Sequence, residues 1–176
     1  NSLSRDYFFL SKGRAALGLY TLLSKKKFFS KKFLINNYLV NGGLLGGHPD
    51  TNHDLGIDFS SGSLGHCLSV GVGVAIAKRN SNQNGRVYIL VGDGELNQGM
   101  IWEAVMFTSS HNLTNITLII DYNNLQGLGY SNSIITLDSL ENKFKSFGWS
   151  VSNINGHNVK SIINCFRKNY KKPHVI

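Results

Sequence analysis

Eight consecutive residues, Gly92-Asp93-Gly94-Glu95-Leu96-Asn97-Gln98-Gly99, mix glycines with acid and amide side chains. Glycines on either side of Asp93 free the backbone, so a carboxylate and nearby amides can approach a phosphate closely. A stretch of helical spacing follows, and a helix N-terminus adds a dipole that favours anions. About thirty residues later stand Asn123 and Asn124. One carboxylate, one amide oxygen and a backbone carbonyl are hard oxygen donors. They suit magnesium or calcium, with phosphate oxygens and water completing the shell. The glycine-rich stretch Ser61-Gly62-Ser63-Leu64-Gly65 could hold a second part of the same ligand, and His48 lies in another such loop. Alone, Gly-Asp-Gly is a weak signal; its weight depends on what flanks it.

The flanking elements alternate. Residues 86–91 form a short β-rich run that stops at Gly92, as a buried strand would. From Met100 to His111, Ile101, Trp102, Val105 and Met106 recur at helical spacing, and residues 116–120 make a second buried strand. Strand, helix and strand within about 35 residues is a βαβ unit with parallel strands. Its two strands deliver Asp93 and Asn123 to the same sheet edge. The alternation continues with a helix over 137–147 capped by Asp138 and followed by Gly148, a strand over 149–152, a helix over 159–166 and a strand from His174. Upstream, a helix over 64–78 carries Leu64, Leu68, Val72 and Ala75 on one face. The fold expected is α/β, an open, mostly parallel sheet with helices on both faces. Ligands of such sheets bind beyond the carboxyl ends of the strands, at a topological switch point.

Composition narrows the classes. The 176 residues are 41% hydrophobic, enough for one domain with one core, and 19 glycines against two prolines do not describe a disordered chain. The net charge of +8 comes largely from lysines at 25–27, 31, 32, 168, 171 and 172. No nucleic-acid recognition module accompanies them, so they read as solvated surface. Cys67 and Cys165 lack metal-ligand spacing and cannot build a disulfide framework, which fits a reducing compartment. No apolar run approaches the ~20 residues that span a bilayer, and residues 1–12 are no secretory signal. A cytoplasmic location is expected, or an organelle if a transit peptide precedes Asn1. An opening Asn1-Ser2-Leu3 and a close on a strand-like His174-Val175-Ile176 read as a single domain over 1–176 truncated at both ends.

With the paired asparagines at this spacing, the chain resembles the thiamine-diphosphate enzymes and, within them, the transketolase family. That family's cofactor motif opens with Gly-Asp-Gly and ends about thirty residues on in asparagine, as from Gly92 to Asn124 here. The resemblance extends through residues 4–13, through Gly46-Gly47-His48-Pro49-Asp50 and residues 60–66, and through Gly148-Trp149, Gly156-His157 and residues 172–176. It is greatest to transketolases divided over two polypeptides.

The resemblance implies magnesium held by Asp93, Asn123 and the backbone carbonyl of Leu125. Gly92, Gly94 and Glu95 would lie along the diphosphate, and Gly62, Ser63 and Leu64 would approach the aminopyrimidine through their backbone. His48 would stand near the thiazolium and the substrate hydroxyls, and Glu103 would join a carboxylate network at a subunit interface. The implied reaction moves a two-carbon ketol unit from a ketose phosphate to an aldose phosphate. A pyrimidine-binding domain, absent from these residues, would come from a partner chain or a continuation, in a homodimer or heterotetramer. Two departures stand out: Arg14 follows Gly13 where the family has histidine, and the family's earlier histidine segment has no counterpart. Arginine is permanently charged and could clamp a phosphate. The rivals are another thiamine-diphosphate enzyme, such as a pyruvate dehydrogenase α-chain or a deoxyxylulose-phosphate synthase, a non-catalytic relative that binds cofactor or partner, and a truncated copy without function.

Other polar residues have plainer readings. His66 is a ligand neighbour or helix-start packing; His53, His111, His157 and His174 are structural or solvated; Trp102 and Trp149 belong to core or interface; Asp54 and Asp58 lie in a solvated loop.

Overall fold

The computed structural model of the chain describes residues 4–176. The opening Asn1-Ser2-Leu3 lies outside the described residues. Five parallel strands make the main sheet: β1 Tyr7–Leu10, β2 Val87–Gly92, β3 Ile116–Asp121, β6 Ser150–Val151 and β7 His174–Val175. They are arranged in the order β1-β2-β3-β7-β6. Between them run α1 Ala16–Lys25, α2 Lys31–Asn37, α3 His66–Asn80, α4 Gly99–Ser110, α5 Ser131–Ile134, α6 Leu140–Ser146 and α7 Val159–Arg167. A small antiparallel hairpin, β4 Leu125–Gln126 and β5 Gly129–Tyr130, interrupts the path after β3.

The centre of the sheet forms because β2 and β3 carry side chains that both faces can bury. Val87, Ile89, Val91, Ile116 and Leu118 are fully buried, together with Leu68 and Ala75 of α3 and Ile101 and Val105 of α4. Each large aliphatic contributes roughly 1.5–3 kcal/mol by leaving water. Close approach of α3 to β2 depends on Gly71, where a Cβ would stand 2.9 Å from Ile89 Cδ1. Trp149 is also buried; its indole N–H donates to Val105 O at 3.0 Å and its ring meets Phe144 edge-on. A second, smaller core of Ala16, Tyr20, Leu23, Leu45, Leu55 and Ile57 supports the loop that carries His48.

The helix over 137–147 is shorter than expected, Leu140–Ser146, and its N-cap is Ser139. The Ser139 hydroxyl accepts Asn142 N–H at 3.3 Å, the bond that Asp138 was expected to supply one residue earlier. The helix over 64–78 begins instead at His66, after Gly65 at φ +87, which leaves Leu64 exposed before it. Direction along the sheet runs one way through β1, β2 and β3 and reverses only from β6 to β7. Asp93 and Asn123 lie at the carboxyl ends of β2 and β3, so they share the expected edge but not the point of reversal, and Glu103 lies apart on α4. Among the described residues, no helix is long and apolar enough to cross a membrane.

Candidate active site

Strand register brings the first two candidates together. Gly92 on β2 lies opposite Asp121 on β3, so Asp93 follows one strand end by one residue and Asn123 follows the other by two. Asp93 opens a 3-10 turn, Asp93–Asn97, and is buried to 2% exposure. Its Oδ1 accepts Gly94 N–H at 2.8 Å and its Oδ2 accepts the Ser131 hydroxyl at 2.7 Å. Ser131 also donates its backbone N–H to Asn124 O at 3.0 Å. One residue therefore ties the Asp93 carboxylate to the segment of Asn123 and Leu125.

Asn123 is exposed; its Oδ1 accepts Leu125 N–H at 2.9 Å and its amide donates to Asp121 Oδ2 at 3.3 Å. Asp121 also pairs with Lys12 Nζ at 2.5 Å, which links the ends of β1 and β3. The aliphatic stem of Lys12 passes over Gly92, 3.5 Å from where a Cβ would stand. Gly94 packs on the hairpin: a Cβ there would lie 2.9 Å from Gln126 Oε1, the atom that accepts Asn97 Nδ2 at 3.2 Å.

Glu95 has its carboxylate inside the protein, at 2% exposure. Its Oε1 accepts both the Ser11 hydroxyl and Gly65 N–H, the latter at 2.7 Å. Glu95 thus holds the glycine loop 62–65 and the end of β1 against the Gly-Asp-Gly turn. Gly62, at φ +125, needs glycine twice over, since a Cβ would also sit 2.8 Å from His48 Cδ2. A Cβ on Gly13 would meet the same His48 atom at 2.7 Å. Gly13, His48 and Gly62 therefore converge, with Ser63 and Leu64 exposed beside them. The His48 loop is fixed from below by the buried Tyr20, whose hydroxyl is shared between Gly46 O at 3.1 Å and His48 O at 3.2 Å. Burial first, and then Asp50, push that phenol up to about 12, so it stays a donor.

Arg14 is exposed, with Nη1 at 3.4 Å from where a Cβ of Gly127 would stand, so it bridges toward the tip of the β4–β5 hairpin. It pairs with no carboxylate among the described residues. Glu103 is exposed on α4, one helical turn before the exposed Met106 and Phe107. His66 begins α3, its Nδ1 at 3.2 Å from Leu64 O. Ser11, Lys12, Gln126 and Ser131 were not singled out in the sequence. Their partners are distant in the chain, and nothing in their local pattern marks them.

The donor set fits a divalent cation in one respect. Asp93 is a buried carboxylate whose hydrogen-bond partners, an amide and a hydroxyl, are neutral, and such a group needs a counter-charge. Among the described residues no three His, Cys, Asp or Glu side chains form a metal cluster. An ion beside Asp93 must therefore draw on neutral oxygens, a ligand's phosphate and water, as magnesium does.

Away from this edge, Asp58 is not solvated. It is half-buried in a bidentate pair with Arg5, at 2.9 and 2.6 Å, and this bonding raises the arginine's pKa. His111 stacks on Phe107, and His174 is buried against Ser152 and Tyr170. A recess of about 180 Å³ between Arg5, Phe8, Leu19, Pro49 and Phe59 contains none of the candidate side chains.

Residues 1–176 match the family model described as transketolase, thiamine diphosphate binding domain. The chain belongs to this family. It is 39% identical over 175 residues to an apulose-4-phosphate transketolase subunit of Phocaeicola vulgatus, covering 98% of this chain and 62% of the relative. It is 38% identical over 159 residues to the 6-deoxy-6-sulfo-D-fructose transketolase subunit SqwG of a Clostridium species, covering 90% of this chain and 58% of that one. The transketolase of Campylobacter jejuni superposes with a TM-score of 0.90 at 30% identity, over 99% of this chain and 29% of its own. The chain thus spans about three fifths of the first two relatives. Transketolase membership carries the α/β fold with it, and the mostly parallel sheet agrees.

Proposed function

We propose that this chain is the thiamine-diphosphate-binding part of a transketolase that moves a two-carbon ketol unit from a ketose phosphate to an aldose phosphate. The observation that carries the reading is a convergence at one sheet edge. Asp93 is clipped to the Asn123–Leu125 segment, and His48 is seated on Gly13 and Gly62. Relatives whose names describe them as transketolase subunits support a division of the enzyme over two chains. The pyrimidine-binding half then comes from a partner subunit or from a continuation, in a homodimer or a heterotetramer, and a cytoplasmic location suits such an enzyme.

Asp93 Oδ, Asn123 Oδ1 and the Leu125 carbonyl would hold magnesium on the diphosphate, with Gly92 and Gly94 lying along it and letting Lys12 and Gln126 close in beside them. Thiamine diphosphate, when bound, supplies the carbon nucleophile and the electron sink. The chain's own work is positioning. Gly62, Ser63 and Leu64 offer backbone groups to the aminopyrimidine, and Glu95 holds their loop in place. His48 hydrogen-bonds the donor's hydroxyls, and Arg14 offers a fixed charge to a substrate phosphate. Glu103 faces the partner.

Turnover by the assembled enzyme tests this, with a ketose phosphate or pyruvate as donor and an aldose phosphate as acceptor. Cofactor-dependent consumption of the ketose phosphate alone supports the reading; consumption of pyruvate alone points to another thiamine-diphosphate enzyme. Arg14 in place of the family's histidine favours a second reading, a relative that binds the cofactor without turnover. Tight thiamine diphosphate binding with no transfer from any donor would establish it.

A further inference from the structure

Ser131, which ties Asp93 to the segment of Asn123 and Leu125, is not itself one of the candidate ligands. It is fully buried at the start of α5, directly after the β4–β5 hairpin. Its two donors point to two different parts of the candidate metal site: the hydroxyl to Asp93 Oδ2 at 2.7 Å, the backbone N–H to Asn124 O at 3.0 Å. Asn124 lies between the two other oxygen donors, Asn123 and Leu125, and holds a left-handed φ of +61 that fixes the turn.

We propose that Ser131 is a positioning residue of the metal site, setting the Asp93 carboxylate in register with Asn123 and Leu125. The inference rests on the reading that Asp93 holds magnesium. A carboxylate oxygen has two lone pairs. With one on each oxygen of Asp93 occupied, by Gly94 N–H and by the Ser131 hydroxyl, the carboxylate plane is fixed and one lone pair per oxygen is left for a cation. The same residue holds the hairpin base through its backbone N–H to Asn124 O, so the first and the remaining donors are tied through one residue, and its hydroxyl is the link to Asp93. Loss of the hydroxyl frees the carboxylate to rotate and loosens the cage without removing a ligand.

Such a change has a signature that a general loss of stability lacks. Magnesium requires a near-octahedral shell at short distances, whereas calcium accepts irregular, larger shells. In the assembled enzyme with saturating thiamine diphosphate, Mg²⁺ and Ca²⁺ are titrated calorimetrically into the unmodified protein, Ser131→Ala and Asp93→Ala. The expected result for Ser131→Ala is a loss of about tenfold or more in Mg²⁺ affinity. A clearly smaller loss for Ca²⁺ should accompany it, whereas the fall in metal-free unfolding midpoint from the lost hydrogen bond is common to both titrations and does not discriminate between the ions. Equal loss for both ions, or loss for neither while Asp93→Ala still abolishes Mg²⁺ binding, overturns the role of Ser131. If Asp93→Ala binds Mg²⁺ normally, the metal assignment itself fails, and the role of Ser131 fails with it. Should the alanine variant not assemble, Ser131→Cys keeps the shape with a weaker donor, and the same shift of selectivity toward Ca²⁺ is expected; its absence overturns the proposal.

Discussion

Glu95 accepts the backbone N–H of Gly65 at 2.7 Å, across thirty residues of sequence and from inside the protein. The same oxygen takes the Ser11 hydroxyl, so one buried carboxylate joins the end of β1, the glycine loop and the Gly-Asp-Gly turn. Hydrogen bonds to a charged acceptor contribute about 1.5–3 kcal/mol each, and an orphaned buried donor adds a penalty. Glu95→Ala, which loses both bonds, is expected to lower the unfolding free energy of the assembled enzyme by at least about 3 kcal/mol and to weaken cofactor binding. Glu95→Gln, which keeps one acceptor oxygen, should lose about half as much. Urea denaturation measures both, and an alanine variant of unchanged stability would contradict the role.

Gly62 and Gly73 make a matched contrast. A Cβ on Gly62 meets His48 at 2.8 Å from a backbone at φ +125, whereas a Cβ on Gly73, exposed on α3, meets nothing within 4 Å. Gly62→Ala should cost about 1–3 kcal/mol from backbone strain. By displacing His48 it should also reduce kcat/KM on the order of 10²-fold. Gly73→Ala should leave activity unchanged and raise stability by up to about 1 kcal/mol. Similar kinetics for the two variants would count against His48 as a substrate contact.

Arg14 separates affinity from stability. Its exposed side chain makes no ion pair among the described residues, so Arg14→Ala should shift stability by less than about 0.5 kcal/mol. If it contacts a substrate phosphate, KM for the phosphorylated donor should rise about tenfold with a smaller change in kcat, and added salt should shrink the difference. Steady-state kinetics at two ionic strengths reads this; an unchanged KM refutes the contact.

His174 predicts a dependence on acid. Burial first, then the charges of Arg86 and Lys168, lower its pKa from 6.5 to about 4, and its Nε2 lies 2.9 Å from Ser152 Oγ. The unfolded chain takes up a proton near pH 6.5 while the folded chain resists it until about pH 4. Stability from this group is therefore complete above pH 6.5 and declines as pH falls toward 4, by on the order of 2–3 kcal/mol in all. Urea midpoints between pH 7.5 and 5 should fall for the unmodified enzyme and fall less for His174→Gln. Parallel slopes would contradict this.

The placement of Asp93 and Asn123 was legible because both sit at the ends of strands that the sequence marks strongly. The β-branched run of β2, the helical spacing of α4 and the apolar run of β3 identify a βαβ unit, and that topology alone brings Asp93 and Asn123 to one edge. Tyr7–Leu10 was not read as a strand, because four residues give no periodicity to separate strand from loop. Ser131 was missed for a related reason: its partners are Asp93, 38 residues away, and Asn124 across a hairpin with no signal beyond its glycines. Asp58 looked solvated because Arg5 lies 53 residues away in sequence. The cap at Ser139 rather than Asp138 reflects two adjacent residues with equal capping chemistry, which only the backbone path distinguishes.

Transfer of an intact two-carbon unit distinguishes a transketolase from its rivals. A ketose phosphate labelled with ¹³C at C1 and C2 is given to the assembled enzyme with thiamine diphosphate, magnesium and an unlabelled aldose phosphate, and the lengthened product is examined by NMR. Both labels are expected together, as adjacent coupled carbons, at C1 and C2 of the product, and both should stay behind when Asp93→Ala replaces the unmodified chain. Transfer of a single label, transfer that persists in Asp93→Ala, or labels that never leave the donor would contradict the account.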